Sequence, residues 1–261
     1  MTGAIALAAF AFCVSLLTLF SGFGLGTLLM PAFALFLPVQ VAVASTAVVH
    51  AANNLFKAGL MAGQVDRRVL LRFGLPAVAA SFVGAALLAT LAVGEPLLRW
   101  SFLGRPAEVT TVKLVMGVLI LIFALFELVP SLRSLRAPAR WLPVGGALSG
   151  FFGGLSGHQG ALRAIFLAPL GLSPTAFAGT QALIALLVDG ARLLVYGSAF
   201  ALRGEVATAI PWALVGGVTL SAFAGAFLGK RLLPKVSYGG LHLLVGALLV
   251  VVGVALATGV A

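Results

Sequence analysis

The sequence predicts an all-α polytopic membrane protein made of two inverted repeats. Three observations predict this fold: the composition, the length of the apolar stretches, and a pattern of interrupted stretches that occurs twice. Of the 261 residues, 62% are hydrophobic and 8% are charged, whereas soluble domains average roughly 45–50% and about 25%. A soluble fold of this size cannot bury so much apolar surface, and the apolar stretches do not alternate as the strands of a β-barrel do.

The net charge of +10 comes from cations in short segments between the apolar stretches. Such cations indicate which side of the membrane a loop occupies, whereas a nucleic-acid-binding protein gathers them on one solvated surface. We therefore expect no nucleic acid partner. The single cysteine allows no thiolate metal cluster, and we expect neither a metal nor a cofactor. No Gly-x-x-x-x-Gly-Lys-Ser/Thr motif is present, which argues against ATP hydrolysis by this chain.

Apolar stretches long enough to cross a bilayer, or about half of it, follow one another along the chain. They cover residues 4–20, 27–37, 41–58, 69–93, 110–129, 141–156, 160–170, 175–200, 206–229 and 238–258. No Lys or Arg precedes the first stretch, so we interpret it as a membrane segment of the mature protein and not as a signal peptide.

Two pairs of stretches are interrupted by polar and glycine-rich breaks. Residues 4–37 are broken at 21–26, and residues 141–170 are broken at 156–160. Each pair is too long for one span and too short for two full spans. The repetition predicts an internal duplication.

We expect a first transmembrane repeat over residues 1–130 and a second over 141–261, joined by a basic cytoplasmic linker at 131–140. Each repeat contains a broken or re-entrant helical hairpin followed by three transmembrane helices.

Three clusters of cations lie between the apolar stretches and indicate the orientation of the chain. If each broken pair crossed the membrane once, the last cluster of cations would lie on the opposite side from the other two. If each pair turns back, all three clusters lie inside, as the positive-inside rule requires. The clusters are Lys57 with Arg67, Arg68 and Arg72; Arg133, Arg136 and Arg140; and Lys230, Arg231 and Lys235.

The second arrangement places both termini outside and makes the number of crossings in each repeat odd. The second repeat is then inverted relative to the first, which is a common plan of secondary transporters. In such proteins, short interrupted segments at matching positions indicate the binding site.

The two breaks therefore predict an anion site near the membrane midplane. A helix that restarts inside the membrane presents unpaired amides and a partial positive charge, so two facing helix starts would form a cradle for an anion. Glycine lets the backbone approach a ligand closely. The alternative is that these glycines only allow helices to pack. The predicted cradle residues are Ser21, Gly22, Gly24, Gly26, Thr27, Ser156, Gly157 and Gly160.

Three side chains of the second break are expected to contact the anion: His158, Gln159 and Arg163. An ionisable residue at membrane depth is costly and is therefore a functional candidate. Arg163 either deepens the anion site or pairs with a carboxylate such as Asp189 and holds helices together. His158 either serves the anion or makes a structural hydrogen bond.

A polar stripe follows one face of the predicted helix at 41–58. His50, Asn54 and Lys57 have the spacing of neighbours on one helix face. We expect His50 and Asn54 to line the substrate cavity, together with Thr46 and its counterpart Thr180.

Two ionisable residues lie close together on the matching helix of the second repeat. Asp189 and Arg192 are three residues apart and are expected to form a structural ion pair. If transport is coupled to protons, the candidate carriers are His50, His158 and Asp189.

The motifs around both breaks resemble the TauE/SafE family of sulfite and organosulfonate exporters. The first motif is Gly22-Phe-Gly-Leu-Gly26 with Pro31, and the second is Ser156-Gly157-His158-Gln159-Gly160 with Pro169 and then Gly179-Thr180. The resemblance covers nearly the whole chain, although the second motif places His and Gln among the glycines. It implies an exporter of a small sulfur-containing anion, such as sulfite, thiosulfate or a short organosulfonate, in the bacterial inner membrane.

We expect a secondary transporter that works by alternating access, and not an enzyme. Two alternatives remain open: an anion channel that uses the same cradle, and an intramembrane hydrolase with Ser156 as nucleophile and His158 as base. The expected partners are a small anionic substrate and the lipid bilayer, and a homodimer is a candidate assembly.

Overall fold

The computed structural model of the protein describes residues 2–17, 25–61, 63–91, 94–201, 210–232 and 239–260. Helices dominate these ranges. The main helices are α1 (Thr2–Leu17), α2 (Leu25–Ala34), α3 (Val39–Leu60), α4 (Arg67–Leu91), α5 (Thr111–Leu128), α6 (Leu142–Ser156), α7 (Gly160–Leu167), α8 (Pro174–Ala201), α9 (Trp212–Leu232) and α10 (Gly239–Ala257). Single helical turns lie at Pro130–Arg133, Ala139–Trp141 and Ala168–Leu170.

Four segments are long and apolar enough to cross a membrane, which confirms the predicted all-α polytopic membrane fold. They are Arg67–Leu91, Thr111–Leu128, Pro174–Ala199 and Trp212–Gly229. Helix α3 has 22 residues, a length of about 33 Å, but it carries more polar residues than these four. Its polar residues are buried among neighbouring helices: Ser45, Thr46, His50, Asn53, Asn54 and Lys57.

Both pairs of short helices turn back on themselves. A Cβ built on Gly3, near the start of α1, would lie 3.1 Å from the Phe36 ring just after α2. A Cβ on Gly145, near the start of α6, would lie 2.4 Å from the Phe166 ring near the end of α7. In each pair, therefore, the chain leaves at the same end of the molecule at which it enters.

Glycines allow α6 to pack very closely against α4. Gly146, Gly150 and Gly154 recur every fourth residue and so lie on one face of α6. The nearest backbone atoms of α4 are carbonyl oxygens, and a Cβ on Gly150 would lie only 1.9 Å from the Ala77 oxygen. In this structure, therefore, these glycines allow the two helices to pack closely.

Glycines also allow α9 to pack very closely against the backbone of α1. A Cβ on Gly225 would lie 2.2 Å from the Phe12 carbonyl oxygen, and one on Gly229 would lie 2.6 Å from the Leu16 oxygen. The remaining large contacts join α5 to α10, α3 to α8, α4 to α8, α2 to α3, and α3 to α9.

A β-hairpin occupies a segment for which the sequence predicted no helix. Strand β1 (Leu98–Phe102) pairs antiparallel with β2 (Arg105–Val109) between α4 and α5. Arg99 and Glu108 face each other across the strands, with Nε and Oε1 3.1 Å apart. Trp100 Nε1 donates to the Thr258 carbonyl at 2.7 Å, which fixes the hairpin to the end of the last helix.

Candidate functional site

Four polar side chains form a buried row where α3 and α8 cross near the middle of each helix. His50 Nδ1 lies 2.7 Å from Asp189 Oδ2, and Asn54 Nδ2 donates to the same oxygen at 3.1 Å. The other carboxylate oxygen, Oδ1, lies 2.8 Å from Arg192 Nη2. A carboxylate can only accept hydrogen bonds, so the His50 proton is on Nδ1. Asp189 and Arg192 are fully buried, and they form an ion pair inside the helix bundle.

The row extends from one helix break to the other. At its His50 end, a Cβ on Gly26 would lie 3.2 Å from the imidazole, so α2 begins against this ring. At its Arg192 end, a Cβ on Gly157 would lie 2.8 Å from Arg192 Nη1. The absence of side chains at Gly26 and Gly157 therefore allows the backbone of both hairpins to approach the charged row.

The second break is a short turn between α6 and α7. Gly157 has a φ of +81°, a left-handed conformation that favours glycine. Its N–H donates to the Gly153 carbonyl at 2.9 Å, and Ser149 Oγ donates to the Gln159 carbonyl at 3.1 Å. Gln159 precedes α7 without a side-chain hydrogen bond to its first amides, so the start of α7 remains available to a ligand.

Two side chains of α8 contact the end of α6. The Tyr196 hydroxyl donates to the Gly154 carbonyl, and Arg192 Nη1 lies 3.5 Å from the Gly153 carbonyl oxygen. The helix that carries the ion pair therefore also positions the second break.

The left-handed backbone of Gly157 and its closeness to Arg192 make this position sensitive to substitution. Gly157→Ala is expected to lower the stability of the protein by roughly 2 kcal/mol, because a left-handed residue with a side chain costs about 1–2 kcal/mol and the new methyl group also presses on Arg192. Gly171→Ala is the matched control, because Gly171 has a φ of +67° but open space around its Cβ position. Thermal unfolding in detergent micelles measures the stability of both variants. An equal loss of stability in the two variants would contradict a specific contact with Arg192.

Arg163 lies in α7 with its guanidinium bonded to neutral oxygens. Nη1 donates to the Gln181 carbonyl at 3.0 Å, and Nη2 donates to Gln159 Oε1. Arg163 is 3% exposed and forms no ion pair with Asp189 or with any other described carboxylate. The alternative in which Arg163 pairs with a carboxylate is therefore not the arrangement in this structure.

His158 and Ser156 bond to each other and to the backbone. His158 Nδ1 lies 3.1 Å from the Ser156 carbonyl oxygen and 3.2 Å from its Oγ. The imidazole stacks on the Phe123 ring, with 5.4 Å between the centroids. Ser156 Oγ donates to the Phe152 carbonyl at 3.0 Å, so this hydroxyl is bonded to its own helix and is not presented as a nucleophile.

The remaining predicted site residues are not part of the buried polar row. Thr180 lies near the start of α8, and its Oγ1 accepts from the amide of Asp66, the residue that precedes α4, at 2.9 Å. Thr46 is buried one turn before His50, and its hydroxyl has no hydrogen-bond partner within the described residues. Thr27 lies in α2. Ser21, Gly22 and Gly24 lie outside the described residues.

Lys57 was assigned from the sequence to a cytoplasmic cluster, but the structure places it inside the bundle. It is 7% exposed and makes no hydrogen bond or ion pair within the described part of the chain. The signal was its helical spacing to His50 and Asn54 on a polar stripe. A polar stripe on a spanning helix is expected to face the bundle or a cavity, and the buried position of Lys57 agrees with this expectation.

The buried charges near the row do not balance. Lys57, Arg163 and Arg192 are buried cations, and Asp189 is the carboxylate that lies among them. The other buried acid of the described residues, Glu127, packs beside Gly246 where α5 meets α10. Within the part of the chain that the structure describes, the cluster therefore has more positive than negative charge.

A polytopic helical fold with a buried charged cluster between short helices is typical of membrane transport proteins. The model of the family described as Sulfite exporter TauE/SafE matches residues 7–256. The chain belongs to this family, whose members are membrane transporters and not enzymes. The family predicted from the two glycine motifs is confirmed. No curated protein and no solved structure matches the chain significantly.

Proposed function

We propose that the protein is a secondary transporter that exports a small sulfur-containing anion, such as sulfite, thiosulfate or a short organosulfonate. The observation that carries this proposal is that, among the described residues, three buried cations lie near one buried carboxylate, Asp189. An uncompensated charge inside a membrane protein is costly. An anionic substrate lowers this cost by supplying the missing negative charge.

The location of the cluster supports a site near the membrane midplane. The contact between His50 and Asp189 lies near the middle of two long helices, α3 and α8. The start of α2 lies against one end of the row, and Gly157, just before α7, lies against the other. Helix starts attract anions through their free amides and through the helix dipole. The side chains and the two backbones thus favour the same kind of ligand.

The order of elements supports a duplicated, inverted architecture, with repeats at 1–130 and 141–261 and a linker at 131–140. Each half consists of two short helices followed by three longer ones. If α1 to α5 are equivalent to α6 to α10, the contact of α4 with α6 is equivalent to the contact of α9 with α1. Both contacts are glycine-mediated and extensive. Movement of one repeat against the other is the basis of alternating access in inverted-repeat transporters.

The distribution of cations supports an inner-membrane orientation with both termini outside. The start of α4 contacts α8 through Asp66 and Thr180. The linker contacts α7 through the Ala137 amide and the Ile165 carbonyl, 3.0 Å apart. The arginines after Asp66 and those of the linker therefore lie at one end of the molecule, as a cytoplasmic face requires.

For proton coupling we propose the pair of His50 and Asp189, since a proton on the imidazole already contacts the carboxylate. His158 is a further candidate, and its Nδ1 contacts the carbonyl oxygen and the hydroxyl of Ser156.

The experiment that tests this function is transport of [35S]sulfite and [35S]thiosulfate into proteoliposomes. Saturable uptake with counterflow is expected for a carrier, whereas single-channel currents would indicate a channel. Failure of the purified protein to move any sulfite-like anion would contradict the proposal.

Arg163→Ala is expected to reduce the initial rate of anion uptake at low substrate concentration at least about tenfold, the effect of a lost charge-assisted hydrogen bond. Arg140→Ala is the matched control because Arg140 is an exposed residue of the linker. Both variants are checked for monodispersity by size-exclusion chromatography. Equal uptake by the two variants would remove Arg163 from the substrate site.

A further inference from the structure

The β-hairpin between α4 and α5 exposes a row of large apolar side chains. Leu98, Trp100 and Phe102 alternate along β1 and therefore lie on one face of the strand. All three are exposed, and Leu103 in the turn is 88% exposed, the highest value of any large hydrophobic residue among those described. An exposed apolar surface of this kind marks contact with a membrane or with another molecule.

The opposite face of the β-hairpin is polar. Arg99 and Ser101 alternate with the apolar residues of β1, and Arg99 Nε lies 3.1 Å from Glu108 Oε1 of β2 in an exposed ion pair. The β-hairpin is therefore amphipathic, with one face suited to water and the other to an apolar environment.

The turn at the tip of the β-hairpin places a leucine where the backbone disfavours it. Leu103 and Gly104 form the two-residue turn between the strands, with φ angles of 50° and 76°. Turns with two positive φ angles favour Asn-Gly, and a bulky side chain at positive φ is strained. Strain of this kind persists where the surroundings compensate for it. Burial of the Leu103 side chain in lipid provides such compensation, because its transfer out of water is favourable.

Contacts between α5 and α10 establish the depth at which α10 ends. A Cβ on Gly117 would lie 2.5 Å from the Ala257 nitrogen, and one on Gly246 would lie 2.4 Å from the Leu128 side chain. The two helices are therefore antiparallel, and Ala257, the last residue of α10, packs against the second turn of α5. Thr258 follows directly, so its depth is that of the first two turns of α5.

The β-hairpin is bonded to the end of α10 at this depth. Trp100 Nε1 donates to the Thr258 carbonyl at 2.7 Å, and the Glu108 amide donates to the Gly259 carbonyl at 3.2 Å. Helix α5 has 18 residues, a length of about 27 Å, whereas the hydrocarbon core of a bilayer is about 30 Å thick. The first turns of α5 therefore lie at the edge of this core, and Trp100 lies at the level where tryptophan is enriched in membrane proteins.

A cavity of about 350 Å³ adjoins the tip of the β-hairpin. Its lining residues are all apolar: Phe102, Leu103, Pro106, Ala107 and Val260. A site for a polar ligand needs a few polar groups that fix the orientation of the ligand, whereas a hydrocarbon chain needs none. The cavity thus suits the same apolar partner as the exposed face of β1.

We propose that the β-hairpin is a membrane anchor. Its tip and its apolar face lie in the interfacial region of the bilayer, and the cavity takes up part of a phospholipid acyl chain. The apolar surface of the spanning helices continues to this point, because Leu114 and Val118 of α5 and Val254 of α10 are exposed as well. The depth of the hydrogen bond to Thr258 favours lipid over a partner protein in the aqueous phase. This anchor goes beyond the proposed transport function and does not depend on the identity of the substrate.

The test measures the surroundings of a nitroxide spin label in vesicles of phosphatidylethanolamine and phosphatidylglycerol. Cys13 is the only cysteine of the chain, so Cys13→Ser provides a background for Leu103→Cys and for its matched control, Ser101→Cys, on the polar face. Power saturation compares collisions of the label with oxygen, which dissolves in hydrocarbon, and with a water-soluble nickel chelate. At position 103 we expect oxygen collisions to exceed nickel collisions, and at position 101 we expect the reverse.

Fluorescence quenching tests the β-hairpin without a label. Trp141→Phe combined with Trp212→Phe leaves Trp100 as the single tryptophan. We expect lipids with bromine near the headgroup end of the acyl chain to quench Trp100 more strongly than lipids with bromine near the chain terminus, because indole rings lie at the interface. Equally weak quenching by both lipids would overturn the anchor.

The outcomes decide the proposal independently of transport, which neither measurement uses. Nickel collisions that dominate at position 103 as they do at position 101 would place the tip in water and overturn the anchor. Few collisions with either reagent at position 103 would indicate that protein covers the tip, such as a second copy of the chain, and would also overturn it. If the cysteine variants do not fold, the quenching of Trp100 decides alone.

Discussion

Replacing Asp189 by asparagine is expected to lower the free energy of unfolding by about 3–5 kcal/mol, the cost of removing one partner from a buried ion pair. Asparagine has nearly the same shape and keeps an oxygen that can accept from His50 or Asn54. The substitution therefore removes little besides the negative charge. Arg192, which is fully buried, is left with no carboxylate to compensate it.

The control for this substitution is Glu95→Gln. Glu95 Oε2 lies 3.6 Å from Arg99 Nη2, but the Glu95 side chain is 93% exposed. Exposed ion pairs contribute about 0–1 kcal/mol, so this variant should unfold almost as the natural protein does. Thermal unfolding in a single detergent, monitored by circular dichroism, gives the stability of both variants. Similar stability of the two variants would contradict a structural role for the Asp189 carboxylate.

A double substitution tests whether the loss arises from the orphaned guanidinium. Adding Arg192→Met to Asp189→Asn removes the buried cation as well and is expected to restore part of the lost stability, since replacing both members of a buried pair is often close to neutral. The double variant should nevertheless remain inactive in anion uptake if the ion pair of Asp189 and Arg192 is part of the transport site. A double variant less stable than Asp189→Asn alone would indicate that Arg192 stabilises the fold mainly through its contacts with α6.

The sequence predicts the helical fold well because its signals are local. Length, hydropathy and glycine-rich breaks determine where helices begin and end, and the second break lies at 157–159 between α6 and α7, within the predicted interval of 156–160. Spacing along one helix also brings Asp189 and Arg192 together, since residues three apart are neighbours. These predictions require no knowledge of how distant segments pack.

The centre of the candidate site could not be predicted in the same way. His50 and Asp189 are 139 residues apart in the chain, and no local pattern indicates that they meet. The burial of Lys57 likewise depends on which helices surround α3. A cation near a helix end commonly extends to the membrane surface, and the pattern of one helix does not show which neighbouring helices bury it. The hairpin at 98–109 depends on contacts with the far end of the chain at Thr258.

Gly150→Ala is expected to be the most disruptive of the small substitutions in the membrane-spanning region. The new methyl carbon would lie 1.9 Å from the Ala77 carbonyl oxygen, and this oxygen belongs to the backbone of α4 and cannot rotate away. The two helices must move apart along a long interface. Overpacking a well-packed interior usually costs about 1–3 kcal/mol, and we expect the upper end of this range or more, with loss of monodisperse protein.

Gly216→Ala is the matched control, because no atom lies within 4 Å of the corresponding Cβ position in α9. Alanine is favoured over glycine within a helix by about 1 kcal/mol, so this variant should be as stable as the natural protein or slightly more stable. Equal behaviour of the two variants would contradict the close packing of α4 against α6.

The proposed duplication extends this prediction to the second interface. If the contact of α1 with α9 is the counterpart of the contact of α4 with α6, Gly225→Ala should be about as harmful as Gly150→Ala. The methyl carbon would lie 2.2 Å from the Phe12 carbonyl oxygen, again a backbone atom. In the proposed duplication, each of these interfaces joins a helix of one repeat to the hairpin of the other, so both variants should impair the docking of the hairpins. A stable and active Gly225→Ala beside an unfolded Gly150→Ala would show that the two interfaces are not equivalent.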